Sequence, residues 1–277
     1  MRGLFVVFGC WIPTPVGDWG FMTTPAVKTI QRQNKRWYVH PVDGSKSIGV
    51  TSVLNELAKP FLQYWAAKVV ATECVDNLGA VMNMITSHNR DGAVDFLKRA
   101  PGRSSGAAAD TGTQLHAIVE SINRGEGPGY VPPELQPTIN HYHQFLADWE
   151  PEWVEVEATG FNKVDDYAGT MDGIAVIGGD LLLVDLKTGR GIYEEIALQL
   201  SAYSNFTELV SADGTSRPMP AVTGALALHL RPEGYRLIPV RLGDDIQEVF
   251  RSLLHLTKWT SEIKRGVLGT PQTPDRK

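Results

Sequence analysis

The chain has two cysteines, Cys10 and Cys74, among 277 residues. That excludes a disulfide framework and a four-cysteine metal site, and it makes a reducing cytoplasm the expected compartment. No run approaches the ~20 consecutive apolar residues that a membrane span needs, so no membrane partner is expected. Positive charge is not in excess: 26 Lys and Arg against 31 Asp and Glu leave a net charge of -5. Nucleic-acid-binding domains are usually basic, so the balance does not advertise one, yet a cluster of acids that holds metal ions carries negative charge of its own. A G-x-x-x-x-G-K-[ST] phosphate loop is missing, which excludes a built-in ATP site. Internal repeats and low-complexity tracts are missing too. What is present, 43% hydrophobic and 21% charged residues, fits an ordinary globular protein with a sizeable core in one large domain or two small ones.

The apolar segment GLFVVFGCWI (Gly3 to Ile12) follows a single Arg2 and has the outline of a signal peptide. Its run is short, Pro13 and Pro15 follow at once, and it lacks a small-x-small cleavage site. Bulky Phe8, two positions before Cys10, also spoils a lipoprotein reading. Residues 1–25 are therefore expected to be a flexible extension, with Met22 as an alternative start.

Beyond it, RWYVH (36–40) reads as a short strand and DGSK as a turn. The pattern turns helical at Thr51, and Pro60 opens a second helix. Further helices are expected over 81–86 and 92–99, which makes residues 26–105 a helical N-terminal part. PGRSSG should break the chain before a helix from about Ala107 to Asn123, and Glu134 to Trp149 forms another. At Glu152 the period becomes alternating. EWVEVEATGF, YAGTMDGIAVI and DLLLVDLK read as three successive strands. A helix from about Tyr193 to Leu209, a polar loop (SADGTSRPMP), two strands joined by RPEG, and a helix over 244–265 follow; residues 269–277 are expected to be disordered. The fold class is α+β: a central mixed β-sheet flanked by helices, with a helical N-terminal elaboration.

The second and third strands hold misplaced-looking charges. Side chains alternate along a strand, so Leu181, Leu183, Asp185 and Lys187 share one face, and Lys187 stands about 7 Å beyond Asp185. If Gly178 and Gly179 form a two-residue turn, Ile177 pairs with Asp180, and the same register sets Asp172 directly across from Asp185. Like charges in that position are destabilising. They call for a cation or a shared proton; Lys187 supplies one charge, and hard oxygen ligands suit Mg²⁺ or Mn²⁺ better than zinc. Alternatively, the residues form a salt-bridged hairpin on the solvent face.

Other residues share spacings of one helical turn. In GTQLHAIVE, His116 and Glu120 lie on one helix face, four residues after Gly112. Gln199 and Tyr203 are similarly related on the helix after the DLK strand. Glu157, in the first strand, can reach the same region from a neighbouring position, although alternation groups it with Glu155 on the face that is commonly wet. Lys98, Arg99 and Arg103 are candidate phosphate contacts, as are Lys28, Arg32, Lys35 and Arg36. His141 and His143 read as surface or packing residues.

The ordered set G-x-x-x-H-x-x-x-E, G-T-x-D, D-x-K-T-G and Q-x-x-x-Y resembles the RecB-type branch of the PD-(D/E)xK nucleases, which includes lambda-type phage exonucleases and CRISPR-associated exonucleases. The similarity spans roughly Gly106 to Phe206, and it implies a nuclease core over 106–268. By that resemblance Asp172, Asp185, His116 and the Leu186 carbonyl ligate Mg²⁺ or Mn²⁺. Lys187 positions or deprotonates the attacking water, and Gln199 and Tyr203 support the site or touch the DNA backbone, with Glu120 and Glu157 as supporting residues. Some relatives hold an iron–sulfur cluster on four cysteines, and two cysteines cannot, so no cluster is expected. The implied activity is a DNA exonuclease of phage recombination, replication or repair. A structure-specific or restriction-like endonuclease and a non-catalytic DNA-binding or assembly protein are the alternatives. Without an ATP site, processive work on duplex DNA implies a ring-like homo-oligomer, or a helicase or recombinase as partner.

Overall fold

The computed structural model describes residues 27–271, so the expected extension and residues 272–277 of the expected disordered tail lie outside the described residues. The described chain opens with three short strands, β1 (Thr29–Arg32), β2 (Lys35–Val39) and β3 (Lys46–Gly49). Six helices follow: α1 (Val50–Leu54), α2 (Phe61–Asp76), α3 (Leu78–Thr86), α4 (Arg90–Lys98), α5 (Ala100–Asn123) and α6 (Gln136–Trp149). Next come β4 (Glu152–Asn162), β5 (Tyr167–Ile177), β6 (Asp180–Lys187) and α7 (Glu195–Ser204). The chain ends with β7 (Glu208–Val210), β8 (Ser216–Pro218), β9 (Gly224–Arg231), β10 (Gly234–Val240) and α8 (Asp244–Lys258), which runs into a π-helical turn at Trp259–Ile263.

The ten strands among the described residues join one mixed sheet. β3 and β5 are parallel, as are β6 and β9, and the other pairs are antiparallel. β4 runs along one edge of β5 from Tyr167 to Val176. The opposite edge is divided: β3 pairs with Tyr167 and Ala168, and β6 takes over from Gly173 to Ile177. Gly169 to Asp172 lie in the gap between them.

A strand that is apolar on both faces needs cover on both, and β6 shows how it is supplied. Leu183 packs with Val50, Val53, Leu200, Tyr203, Phe250 and Leu254, from α1, α7 and α8. Val184 and Leu186 pack on the other face with Leu115, Val119, Ile139, Tyr142 and Phe145, from α5 and α6. Each of these side chains contributes on the order of 1.5–3 kcal/mol by burial. α2 to α4 rest on one another and on α5 rather than on the sheet, and α2 buries none of its residues.

The α+β architecture is the one expected, with local differences. The part expected to be helical, residues 26–105, contributes to the same sheet the strand expected at 36–40 and two further strands, β1 and β3, before its helices begin. PGRSSG does not break the chain; it forms the first turns of α5, with Pro101 near the start, where its missing N–H has no intrahelical partner to lose. The helix expected to reach Leu209 stops at Ser204, because Glu208–Val210 pairs with β4 and with Ser216–Pro218 inside the expected polar loop.

Candidate active site

The two-residue turn forms as expected. Gly178 and Gly179 have φ of 61° and 90°, the left-handed conformation a tight hairpin favours, and the ladder runs from Ile177↔Asp180 to Gly173↔Val184. Asp185 is 2% exposed, which rules out the solvent-facing hairpin. The ladder nevertheless stops one pair short of Asp172 and Asp185.

The cause lies in β5. Met171 packs with Leu200 and Tyr203, whereas Gly173 lies against Trp153 on the other face: a Cβ there would come 2.6 Å from the indole ring and 2.8 Å from the Glu155 carbonyl. Two residues of the same parity on opposite faces mean that alternation breaks at Asp172. On β4 the break is matched at Glu157, which stands between the pairs Val156↔Gly173 and Ala158↔Met171 and has φ of 50°. A non-glycine residue in that conformation costs roughly 1–3 kcal/mol and persists where its surroundings enforce it. Instead of facing Asp185 across a ladder, the Asp172 carboxylate accepts the Leu186 N–H at 2.6 Å. Leu186 thus meets the group through its N–H.

This irregularity gathers a ligand set. Oxygens of Asp172 and Glu157 and a ring nitrogen of His116 lie within 4.8 Å of one another, with His116 Nδ1 3.4 Å from Asp172 Oδ1. His116 and Asp172 are 32% and 25% exposed, so the group is open to a ligand. Glu120, one turn after His116, lines the same pocket and pairs with Arg124 at 2.7 Å. Burial, then the charges of Asp172 and Glu120, push the Glu157 carboxyl up to about 8. Burial also raises Glu120, although Arg124 opposes it. Burial disfavours charge on His116 and on Asp172 as well. Their mutual contact overrides it, so the histidine is raised and the aspartate lowered. Crowded carboxylates, one of them pushed up by burial and its neighbours' charge, are the environment a divalent ion fits, and mixed imidazole and carboxylate ligation is ordinary for such an ion.

Asp185 stands outside that set of three because it is held elsewhere. Its Oδ1 accepts the Gln199 amide at 3.0 Å. Its Oδ2 ion-pairs with Lys187 Nζ at 2.5 Å, without an aligned hydrogen bond. Burial and the Asp172 charge raise its pKa against the pull of Lys187. Lys187 Nζ also donates to Gln199 Oε1 at 3.2 Å, and Gln199 Nε2 donates to the Tyr203 hydroxyl at 3.1 Å. Gln199 is thus a clasp between the lysine and the aspartate. Burial works against the Lys187 ammonium, but Asp185 and Asp172 outweigh it and raise its pKa. Tyr203 is 2% exposed, and its hydroxyl meets Gln199 rather than solvent. A Cβ at Gly169 would meet its ring at 2.7 Å, so the glycine in GTMDG is what lets the ring seat there.

Sequence reasoning missed what anchors the segment after Lys187. His229 pairs with Lys187 in the parallel register and is 2% exposed. Arg236 Nη2 lies 2.9 Å from His229 Nδ1 and can only donate, so the ring proton sits on Nε2, which donates to the Gly189 carbonyl at 2.8 Å. Arg231 donates to the Thr188 carbonyl at 2.9 Å. HLR in an apolar strand is too weak a signal to have shown this. The expected DNA contacts fare unevenly. Arg103 is bound to Glu73 at 2.6 Å and to the Phe96 carbonyl, and Arg99 pairs with Asp95. Lys35 is tied to Glu56 and Thr260. Lys98 ends α4 with no ion pair among the described residues. His141 lies 3.4 Å from Gln144 on α6 and stays outside the ligand group.

Among the described residues no helix is long and apolar enough to cross a membrane. No family model and no curated protein matches the chain. Among solved structures it is similar to an alkaline exonuclease from Laribacter hongkongensis, at 10% sequence identity and a TM-score of 0.29, covering 56% of this chain and 81% of that one. So loose a superposition decides neither fold nor chemistry, and both rest on the residues described above.

Proposed function

We propose that the protein is a divalent-metal-dependent DNA exonuclease working with Mg²⁺ or Mn²⁺ in phage recombination, replication or repair. The observation that carries the reading is the juxtaposition, around the hairpin that bears Asp172, Asp185 and Lys187, of the His116, Glu157 and Asp172 ligand set with a buried Asp185–Lys187–Gln199 clasp. The order of the motifs around it supports the same reading.

His116, Glu157 and Asp172 would hold the ion, with Asp185 the neighbouring carboxylate. When bound, a divalent ion lowers the pKa of a coordinated water and offsets charge on a phosphate oxygen. Asp185 and Asp172 keep Lys187 protonated, so its part is that of a donor: it orients water and hydrogen-bonds a phosphate oxygen as negative charge grows there. Gln199 fixes the ammonium and the Asp185 carboxylate relative to each other before substrate arrives. His116, raised above its ordinary pKa by Asp172, would have to lose its ring proton to serve as a ligand, so ion binding would release a proton.

The test uses end-labelled linear DNA and closed circular DNA, each incubated with the protein and Mg²⁺ or Mn²⁺, beside Asp185→Ala and Lys187→Ala. Digestion of linear DNA alone, lost in both variants, is the expected result. Cutting of circles would move the assignment to an endonuclease. No metal-dependent cleavage of either substrate would overturn the hydrolase.

A further inference from the structure

The cavity lined by Lys187 and Gln199 is also lined by Gly191, Ile192 and Tyr193. Tyr193 lies nearly parallel to Phe61, at the first position of α2, with ring centroids 6.0 Å apart and 17° between the planes. Both rings are half exposed, Phe61 at 50% and Tyr193 at 53%. Single exposed apolar residues are unremarkable. A stacked pair of exposed rings continuous with a phosphate-handling lysine is a more specific arrangement.

We propose that Phe61 and Tyr193 form a stacking platform for a nucleobase of the strand whose phosphate is held at Lys187. The choice of ligand rests on the nuclease reading. The physics of the platform is general: every base presents a π-face, so stacking on aromatic rings binds single strands without regard to sequence. A nucleotide with its phosphate at Lys187 has Tyr193 as an adjoining wall of the same cavity. The one acid in that cavity, Glu195, is offset by Lys59 at 3.8 Å, so a phosphodiester entering it is not met by an uncompensated carboxylate. A base-stacking surface also suits an enzyme that must hold an end while advancing, because it grips each new nucleotide alike.

The test is a binding measurement that needs no turnover. Single-stranded oligonucleotides carrying 2-aminopurine at the 5′ or the 3′ end are titrated with the full chain in EDTA, and stacking is read as quenching of the probe. The expected result is quenching at one end or both with the wild type. The Phe61→Ala/Tyr193→Ala double variant should lose it, with affinity about 5- to 150-fold weaker at 1–3 kcal/mol per stacked base. Tyr193→Phe keeps the ring and should keep the quenching, which separates loss of stacking from loss of fold. A double variant that quenches and binds like the wild type overturns the platform, as does a wild type that quenches neither probe. The two readings fail separately. Quenching without any metal-dependent cleavage leaves the platform and removes the hydrolase. Cleavage with an unchanged KM in the double variant does the reverse.

Discussion

Glu157 offers a test that works on the metal-free protein. Burial, Asp172 and Glu120 push its carboxyl up to about 8, from an ordinary value of 4.5. Between those values the folded chain keeps a proton that the unfolded chain has released, so stability falls as pH rises across that window. At pH 7 the cost is about 3 kcal/mol at ~1.4 kcal/mol per pH unit. Solvent screening of a partly exposed group reduces that to roughly 1–2 kcal/mol. Glu157→Gln removes the ionisation and keeps the shape. In EDTA the variant should therefore melt above the wild type by roughly 2–8 °C at pH 7 to 8, and the gap should shrink towards pH 5. Adding Mg²⁺ or Mn²⁺ should reverse the ranking, since the ion stabilises the carboxylate and finds a poorer ligand in the amide. Thermal unfolding followed by circular dichroism across pH 5 to 8, with and without ion, reads all of this. A variant that melts below the wild type in EDTA at pH 8, or a gap that does not change with pH, would refute the reasoning.

Three further outcomes follow from the geometry. Gln199→Ala removes hydrogen bonds to two charged groups, worth about 1.5–3 kcal/mol each. Steady-state kinetics on linear DNA should show kcat down roughly 10- to 100-fold with KM little changed. Gly173→Ala drives a Cβ against the Trp153 ring and the Glu155 carbonyl, and urea unfolding should record a loss of about 1–3 kcal/mol. His229→Ala strips Arg236 and the Gly189 carbonyl of their partner, so limited proteolysis should cut the 188–194 segment faster and kcat should fall, while Leu186 and its neighbours keep their slow amide exchange.

The parts legible in the sequence were those where one local period decides the structure. β5 and β6 match the expected strands residue for residue because two apolar faces and a Gly-Gly turn leave one register. The pairing of Asp172 with Asp185 did not follow, because the alternation of β5 breaks at Asp172 and that break depends on Glu157 in a different strand. Period alone placed Glu155 and Glu157 together. In the fold Glu155 turns to Arg217 and Glu157 to His116 and Asp172, a separation that a left-handed residue makes and that no pattern of types announces. TIQR and KSIG are four-residue strands, too short to carry a period, and only RWYVH between them reads as a strand. Arg103 looked like a phosphate contact because its partner, Glu73, is brought to it only by helix packing, whereas the Asp95 that pairs with Arg99 is its i,i+4 neighbour and stood in the charge pattern.

The central claim is that His116, Glu157 and Asp172 form a divalent cation site. The most direct measurement is a calorimetric titration of Mn²⁺ into chelator-stripped wild type and Asp172→Ala, with circular dichroism to confirm that both are folded. One saturable site in the wild type that is lost in the folded variant is the predicted result. A variant that binds Mn²⁺ as the wild type does would contradict it.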